Sequence, residues 1–278
     1  MTSHRCLGIC LFFNDEDIVE DALEHLLENN HHLIVWDHGS TDATSSILDS
    51  YNAHFIERLY LPREFDFYNV FQTVSQHVLE NHARSYDWVS FPESDEILEG
   101  PDRSKSYFEH IKDVLDSPHD WVQFNNIVYW FTAEDNAAVV SPITRVRRYC
   151  IWNNCGPRIY GWRGSAMNVR EFNHNPAEGT KYPVHFNTRH YQARSEAQLR
   201  KRIRDRMGLR RGGKNFHFEY MEKNYSNLFI DPHKLHYDDL ITDLSLDEIF
   251  DWGEVYGSHQ KLLEQLSAEN KLASGQQP

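Results

Sequence analysis

The chain has 278 residues, 40% hydrophobic and 13% aromatic, which is enough to bury the core of one large α/β domain. Its apolar runs are far shorter than the roughly 20 residues that a membrane span needs, and no secretory leader is recognisable. The formal net charge of −14 argues against a general nucleic-acid binder. We therefore expect a cytoplasmic protein without a transmembrane segment.

The cysteines are too few for a disulfide framework in a chain of this size. They are Cys6, Cys10, Cys150 and Cys155. Their spacing fits a zinc site poorly, so we expect buried thiols without a function.

Basic residues are concentrated in two segments that hold half of the 28 lysines and arginines. Arg145–Arg163 has five arginines and no acid, and Arg189–Arg211 has nine basic residues and two acids. A solvated basic helix face would explain the second segment alone. Two such segments in an acidic chain favour a compact anionic ligand, such as a phosphate-bearing molecule.

In chain order, strand and helix patterns alternate over the first hundred residues. Short apolar runs predict strands at Cys6–Phe13, His32–Trp36, Phe55–Leu61 and Trp88–Phe91. Apolar residues at helical spacing predict helices over residues 16–28, 47–51 and 67–78. This alternation is typical of βαβ units, and it predicts a Rossmann-like α/β sandwich with a mostly parallel central sheet and helices on both faces.

Polar clusters follow three of the predicted strands, at Asn14–Glu16, Asp37–Ser40 and Glu93–Glu96. Parallel α/β sheets bind ligands beyond the carboxyl ends of their strands, so these clusters should share one edge. Two carboxylates at a strand end can turn towards one hard cation such as Mg²⁺ or Mn²⁺. The glycine-rich dinucleotide motif, the P-loop and the nucleophile elbow are all absent.

The second half is less regular. Its patterns predict a helix over 104–116, strands at Trp121–Trp130 and Arg145–Trp152, and loops over 153–188. Ser195 should cap a basic helix that ends near Met207, and the capping box Ser245–Glu248 should open a late helix.

We expect a single domain over residues 1–265. Its first half would be 1–100, and 101–265 would form the second half with C-terminal helices. Residues 266–278 would form a flexible tail.

Three motifs, in order, resemble those of family 2 glycosyltransferases. FNDEDIVEDAL, at 13–23, is similar to the opening N-E-x-x-x-I segment of that family, and WDHGSTDAT, at 36–44, resembles its D-x-G-S-T-D-x-T nucleotide loop. DWVSFPESDEIL, at 87–98, is similar to the segment that contains the D-x-D metal site, with Glu93 in place of the first aspartate. RHYQARS, at 189–195, resembles the H-Y-x-x-R-S segment of bacterial members.

This resemblance implies a GT-A-type fold and a metal-dependent inverting glycosyltransferase. In such an enzyme, residues 1–100 would be the nucleotide-binding half and 101–265 the acceptor-binding half. Such an enzyme moves a sugar from a nucleotide-sugar donor, UDP-linked by preference, to a hydroxyl of a carbohydrate or lipid-linked acceptor, as in polysaccharide biosynthesis. Such an acceptor is compatible with peripheral membrane contact.

The resemblance also implies roles for individual residues. Nucleotide contacts would come from Asn14, Asp15, Asp37, Ser40, Asp42 and Arg194, and the arginine-rich turn at 161–164 adds Arg163 to these. The metal, Mn²⁺ or Mg²⁺, would be held by Glu93, Asp95 and His190.

The reaction also needs a base for the acceptor hydroxyl. Glu171 is the first candidate, because it lies between the arginine-rich strand and the His190 segment. Glu96, Glu178 and Asp135 are alternatives, and a solvated loop acid is the competing interpretation of each. A non-catalytic nucleotide-sugar or glycan-binding protein that kept the fold is the competing function.

Overall fold

The computed structural model of the chain describes residues 4–62, 69–152, 158–168, 179–207, 216–252 and 255. The strands within these residues are β1 (Cys6–Phe12), β2 (His31–Asp37), β3 (Phe55–Tyr60), β4 (Trp88–Ser90), β5 (Glu96–Glu99), β6 (Trp121–Trp130), β7 (Arg148–Ile151), β8 (Arg158–Arg163), β9 (Phe186–Ala193) and β10 (His236–Tyr237). The α-helices are α1 (Val19–Glu28), α2 (Thr44–Ser50), α3 (Val70–Asn81), α4 (Tyr107–Leu115), α5 (Pro142–Arg145), α6 (Glu196–Met207) and α7 (Phe216–Lys223).

The first half is a parallel sheet in the order β3-β2-β1-β4. Successive side chains of a strand point to opposite faces, and β1 follows this rule. Leu7, Ile9 and Leu11 pack with α3 on one face, and Cys10 and Phe12 pack with α1 and α2 on the other. The predicted α/β sandwich, with parallel central strands and helices on both faces, is confirmed.

The second half extends this sheet with antiparallel strands. β4 pairs with β8, β8 with β6, β6 with β7, and β7 with β10. β9 runs parallel to β6 and carries β5 as an antiparallel partner. The segment after β4 is thereby brought against residues far along the chain, and this pairing assembles the candidate site.

The helix expected over 104–116 is confirmed as α4, and the basic helix after Ser195 is confirmed as α6. Two other predictions are wrong. Residues 158–163, expected to be a loop, form β8, which pairs with β4 and β6. The reason is that nearly all of their side chains are buried in the core. Ser245–Glu248 opens no helix in the described residues up to 252.

Three of the cysteines, Cys6, Cys10 and Cys150, are buried and free, as expected. Burial raises the pKa of Cys6 and of Cys10 to about 12, so both stay protonated at neutral pH. Cys155 and the predicted tail at 266–278 lie outside the described residues. In the described part of the chain, no helix has both the length and the apolar character required to cross a membrane.

Candidate active site

The loops after β1 and β2 are joined by hydrogen bonds at the carboxyl edge of the sheet. Asn14 has a φ of 55°, a left-handed conformation that turns its loop towards β2. Its Oδ1 accepts a hydrogen bond from the N–H of Thr41 at 2.8 Å, and its own N–H donates to Ser40 Oγ at 3.2 Å. Asp37 Oδ1 accepts from the N–H of Ser40 at 2.9 Å, so four residues of the two predicted loops lie together.

Asp15 connects these loops to the segment after β4. Ser94 Oγ donates to Asp15 Oδ2 at 2.6 Å, and the N–H of Asp15 donates to Thr44 Oγ1 at 2.9 Å. Burial raises the pKa of Asp15, although Arg194 acts in the opposite direction. The three polar clusters therefore meet at one edge of the sheet, as the sequence predicts.

His190 lies between two carboxylates, and strand pairing places it there. The antiparallel register of β5 and β9 sets Glu96 directly opposite His190. His190 Nδ1 is 3.6 Å from Glu96 Oε1, and its Nε2 is 3.3 Å from Asp95 Oδ1. All three side chains are buried.

Glu96 is held in place on both of its carboxylate oxygens. The hydroxyl of Tyr160 and the guanidinium of Arg158 donate to Oε1, the latter at 3.3 Å. The N–H of Glu93 donates to Oε2 at 2.8 Å. Burial, and then the neighbouring charge of Glu93, raise the pKa of Glu96.

Asp95 is surrounded by cations. Its Oδ2 accepts from Arg202 and lies 3.8 Å from Arg194 Nη1. Burial alone would raise the pKa of Asp95, but Arg202, His190 and Arg194 hold it well below its usual range. The carboxylate is therefore ionised at neutral pH.

Arg194 lies at the site, but its donors are engaged by the protein. Its Nε and Nη2 donate to the two oxygens of Asp17 at 2.8 and 2.7 Å, a bidentate contact. Its Nη2 also donates to Asp15 at 3.3 Å, and its Nη1 donates to the carbonyl oxygen of Tyr191 at 3.1 Å. The guanidinium thus ties the end of β9 to the loop after β1.

Helix α6 brings further charged side chains to the same edge, and sequence reasoning did not single them out. Lys201 Nζ donates to Asp42 Oδ2 at 2.6 Å, and Asn14 Nδ2 donates to Asp205 Oδ2 at 2.8 Å. Arg202, one turn before Asp205, is the partner of Asp95. The basic composition of this segment was the available signal, but it could not tell which cations face the site.

A cavity of about 550 Å³ opens beside these residues. Its walls are the loop after β1, part of the segment 131–145, and the first half of α6, and Asp135, Arg145 and Arg202 contribute to its lining. The volume falls in the range of roughly 300–1,000 Å³ that is typical of small-molecule sites. Burial raises the pKa of Asp135.

Three of these side chains fit a divalent metal ion. Glu93, Glu96 and His190 each offer one ligand atom, and these atoms lie within 4.8 Å of one another. His190 is buried, and its Nδ1 lies 3.6 Å from Glu96 Oε1. Two carboxylates and an imidazole suit a cation such as Mn²⁺. Glu96 thus takes the place expected for Asp95 in the ligand set.

One of the predicted site residues, Arg163, is not brought to this cluster. Arg163 is at the far end of β8, where its Nε donates to the carbonyl oxygen of His119 at 2.7 Å and its Nη2 to that of Leu115 at 2.8 Å. It thereby holds the C-terminal end of α4. Glu171 lies in the segment 169–178, which is outside the described residues.

A scan against protein-family models finds no match, and a search of the curated proteins finds none either. Among solved structures, the chain is similar to S. aureus TarS 1-349, with a TM-score of 0.40 and 11% identity over 82% of this chain and 71% of that chain. For TarS 1-349 in complex with UDP, the TM-score is 0.39 and the identity 12%, over 83% and 76% of the two chains. For HddC from Yersinia pseudotuberculosis, the TM-score is 0.37 and the identity 8%, over 66% and 90%. Because these TM-scores lie below 0.5, the function has to be argued from the site itself.

Proposed function

We propose that the chain is a nucleotide-sugar-dependent glycosyltransferase of the family 2 type, which inverts the anomeric carbon in a single displacement. One observation carries this proposal. Three polar loops and the Glu96–His190 pair meet at the carboxyl edge of a parallel sheet, where α/β sheets bind their ligands. The sequences of these loops resemble the nucleotide and metal motifs of the family.

The nucleotide, UDP by preference, would contact Asn14, Asp15, Asp37, Ser40 and Asp42. Hydrogen bonds already join the loops that carry these residues, so little ordering is required when the donor binds. The resemblance gives the same role to Arg163 and Arg194. Arg163 contacts α4 instead, and Lys201 and Arg202, which line the cavity with Arg194, would also meet the diphosphate. Positive charge at this position favours the negative charge that develops on the leaving group.

Glu93, Glu96 and His190 would hold the metal, Mn²⁺ or Mg²⁺. A bound divalent ion offsets charge on the diphosphate. The residues around the ligands keep them in place, since Arg158 and Tyr160 fix the carboxylate of Glu96. Such outer contacts set the orientation of metal ligands in proteins.

The acceptor hydroxyl would enter the cavity of about 550 Å³ and lose its proton to a carboxylate. Glu171 remains the proposed base. Asp135 is the described alternative, because it lines the cavity and its raised pKa suits a proton acceptor. Glu96 is less suited to this role, since it is one of the three proposed metal ligands.

A second function, a nucleotide-sugar-binding protein without catalysis, is favoured by the contacts of Asp95. Its carboxylate is engaged by Arg202 and lies close to Arg194, so it is not available to a metal in this arrangement.

Calorimetry with UDP, with and without Mn²⁺, together with an assay of donor turnover, tests both functions. We expect metal-dependent UDP binding and slow hydrolysis of the donor. Glu93→Gln should weaken the Mn²⁺-dependent part of UDP binding about ten-fold or more. The matched control is Glu28→Gln, which changes an exposed glutamate of α1 and should leave binding unchanged.

The possible outcomes separate the two functions. UDP binding without turnover of any nucleotide sugar would support the binding protein, and failure to bind UDP would contradict both. Product NMR that shows a retained anomeric configuration would contradict the inverting displacement.

A further inference from the structure

A second group of metal-ligating side chains lies on the parallel sheet, separate from the candidate active site. Glu57 of β3, His77 of α3 and His82 just after α3 each offer one ligand atom, and these atoms lie within 4.8 Å of one another. β3 is the edge strand of the sheet in the described part of the chain. None of the three side chains contributes to the candidate active site.

The two imidazoles direct the same nitrogen at the same carboxylate oxygen. His77 Nε2 lies 2.8 Å from Glu57 Oε2, and His82 Nε2 lies 3.0 Å from it. Two ligands of a tetrahedral zinc ion are about 3.3 Å apart, since each is about 2.0–2.2 Å from the metal. Each of the two histidine–glutamate distances would therefore need to lengthen by about 0.5 Å or less to admit the ion.

The contacts around the group hold this orientation. The ring of Trp36 packs edge-on against His77, with centroids 5.3 Å apart. The N–H of His82 donates to the carbonyl oxygen of Val78 at 2.9 Å, which fixes the chain where α3 ends.

We propose that Glu57, His77 and His82 form a binding site for a divalent transition-metal ion, Zn²⁺ above all, with water in the remaining position. Two imidazoles and one carboxylate are a donor set that zinc favours, whereas Mg²⁺ and Ca²⁺ prefer oxygen ligands alone. The side chains of Glu57, His77 and His82 are 30%, 27% and 22% exposed, so an ion can enter from solvent. The ion would fasten the end of α3 to the edge strand.

Competition for Zn²⁺ with a chromophoric chelator, on the full chain, measures the affinity of this site. We expect His77→Ala and His82→Ala each to weaken Zn²⁺ binding at least ten-fold, as removal of a ligand should cost at least as much as removal of an outer-shell partner. His54→Ala, which changes an exposed histidine outside the group, is the matched control and should bind as the wild type does. Zn²⁺ should raise the Tm of the wild type and of the control more than it raises the Tm of either histidine variant.

Two further variants separate the proposal from its competitors. Glu57→Gln preserves the size of the side chain but removes the anionic ligand, so it should also weaken Zn²⁺ binding. This variant still tests the site if a histidine variant fails to fold. Glu93→Gln should retain this zinc site, which distinguishes it from the candidate active site. Equal Zn²⁺ affinity in the wild type and in both histidine variants, or no saturable Zn²⁺ binding by the wild type, would overturn the proposal.

Discussion

Arg194 is a cation in the interior, and the acids around it determine its role. Its side chain is fully buried, and its donors are engaged by Asp17, Asp15 and a backbone carbonyl. A buried charge is stable only when it is paired and hydrogen-bonded. The same guanidinium that the motif placed near a phosphate therefore holds two segments of the site together before any ligand binds.

Arg194→Lys tests this structural role. Lysine keeps the charge but cannot reproduce the bidentate contact with Asp17, so buried acids lose part of their pairing. We expect a loss of about 2 kcal/mol or more in the free energy of unfolding, measured by urea denaturation at pH 7. Arg200→Lys is the matched control, because Arg200 forms an exposed pair with Glu196 on the same helix, and its cost should stay below about 1 kcal/mol. Similar losses in the two variants would contradict the assignment.

Whether a site residue could be placed from the sequence depends on how far along the chain its partners lie. Asn14, Asp37 and Ser40 could be placed together from sequence, because they follow neighbouring parallel strands and the geometry of such sheets is general. Arg202 could not, because its position depends on how α6 docks. Leu199 and Ile203 fix that docking by packing into the core, and a basic composition does not reveal which core they contact.

At the scale of elements, β9 shows why part of the second half was not predicted. Its residues Asn187, Thr188, Arg189 and His190 are all buried, so the strand lacks the apolar pattern that usually identifies one. Its charge is compensated by distant partners, as in the contact between Arg189 Nε and Glu99 Oε1 at 2.7 Å. A polar strand of this kind becomes recognisable only when its partners are known.

The capping pattern S-x-x-E occurs at Ser106–Glu109, where a reciprocal box forms, and again at Ser245–Glu248. The helix that follows Ser106 buries an apolar face, which includes Ile111 and Val114. At Ser245–Glu248 the neighbouring Leu246 and Ile249 are 49% and 48% exposed. A cap stabilises a helix that already has a core to pack against, so the pattern alone did not suffice.

Ser106→Ala should therefore destabilise the protein by about 1 kcal/mol, through loss of the acceptor for the N–H of Glu109. Ser245→Ala removes the same hydroxyl from a segment without a helix, and it should change the free energy of unfolding by less than about 0.5 kcal/mol. Thermal or urea unfolding of both variants provides the comparison. An equal effect of the two substitutions would mean that the cap of α4 contributes nothing measurable.

Across the whole molecule, the cations of the second half meet the acids of the first. Lys201 binds Asp42, Arg202 binds Asp95, and Arg194 binds Asp17. The two basic segments thus have internal partners, in addition to any anionic ligand. These ion pairs join the two halves of the chain at the carboxyl edge of the sheet. The opposite charges of the two halves therefore help them to pack against each other.

Asp238 forms a second junction between segments that are far apart in the chain. Its Oδ1 accepts from Arg103 Nη1 at 2.7 Å, and its Oδ2 accepts from the hydroxyl of Tyr129 at 2.6 Å. The side chain is inaccessible to solvent. Three segments of the chain, after β5, in β6 and after β10, therefore share one buried carboxylate.

The stability of this junction should depend on pH with a defined sign. Burial alone would raise the pKa of Asp238, but the hydrogen bonds from Arg103 and Tyr129 lower it. Since an unfolded aspartate has a pKa of about 3.9, the ionised group contributes stability above that pH and loses it as the pH falls through the lower folded pKa. Asp238→Asn leaves the partly buried Arg103 without this counterion, so we expect a loss of about 3 kcal/mol at pH 7 that shrinks below about pH 4. Urea unfolding of wild type and variant at several pH values measures this difference. The control is Asp116→Asn, at an exposed position at the end of α4, and its change in the free energy of unfolding should stay near zero at every pH. A difference that is constant down to pH 2 would show that the charge of Asp238 does not stabilise the junction.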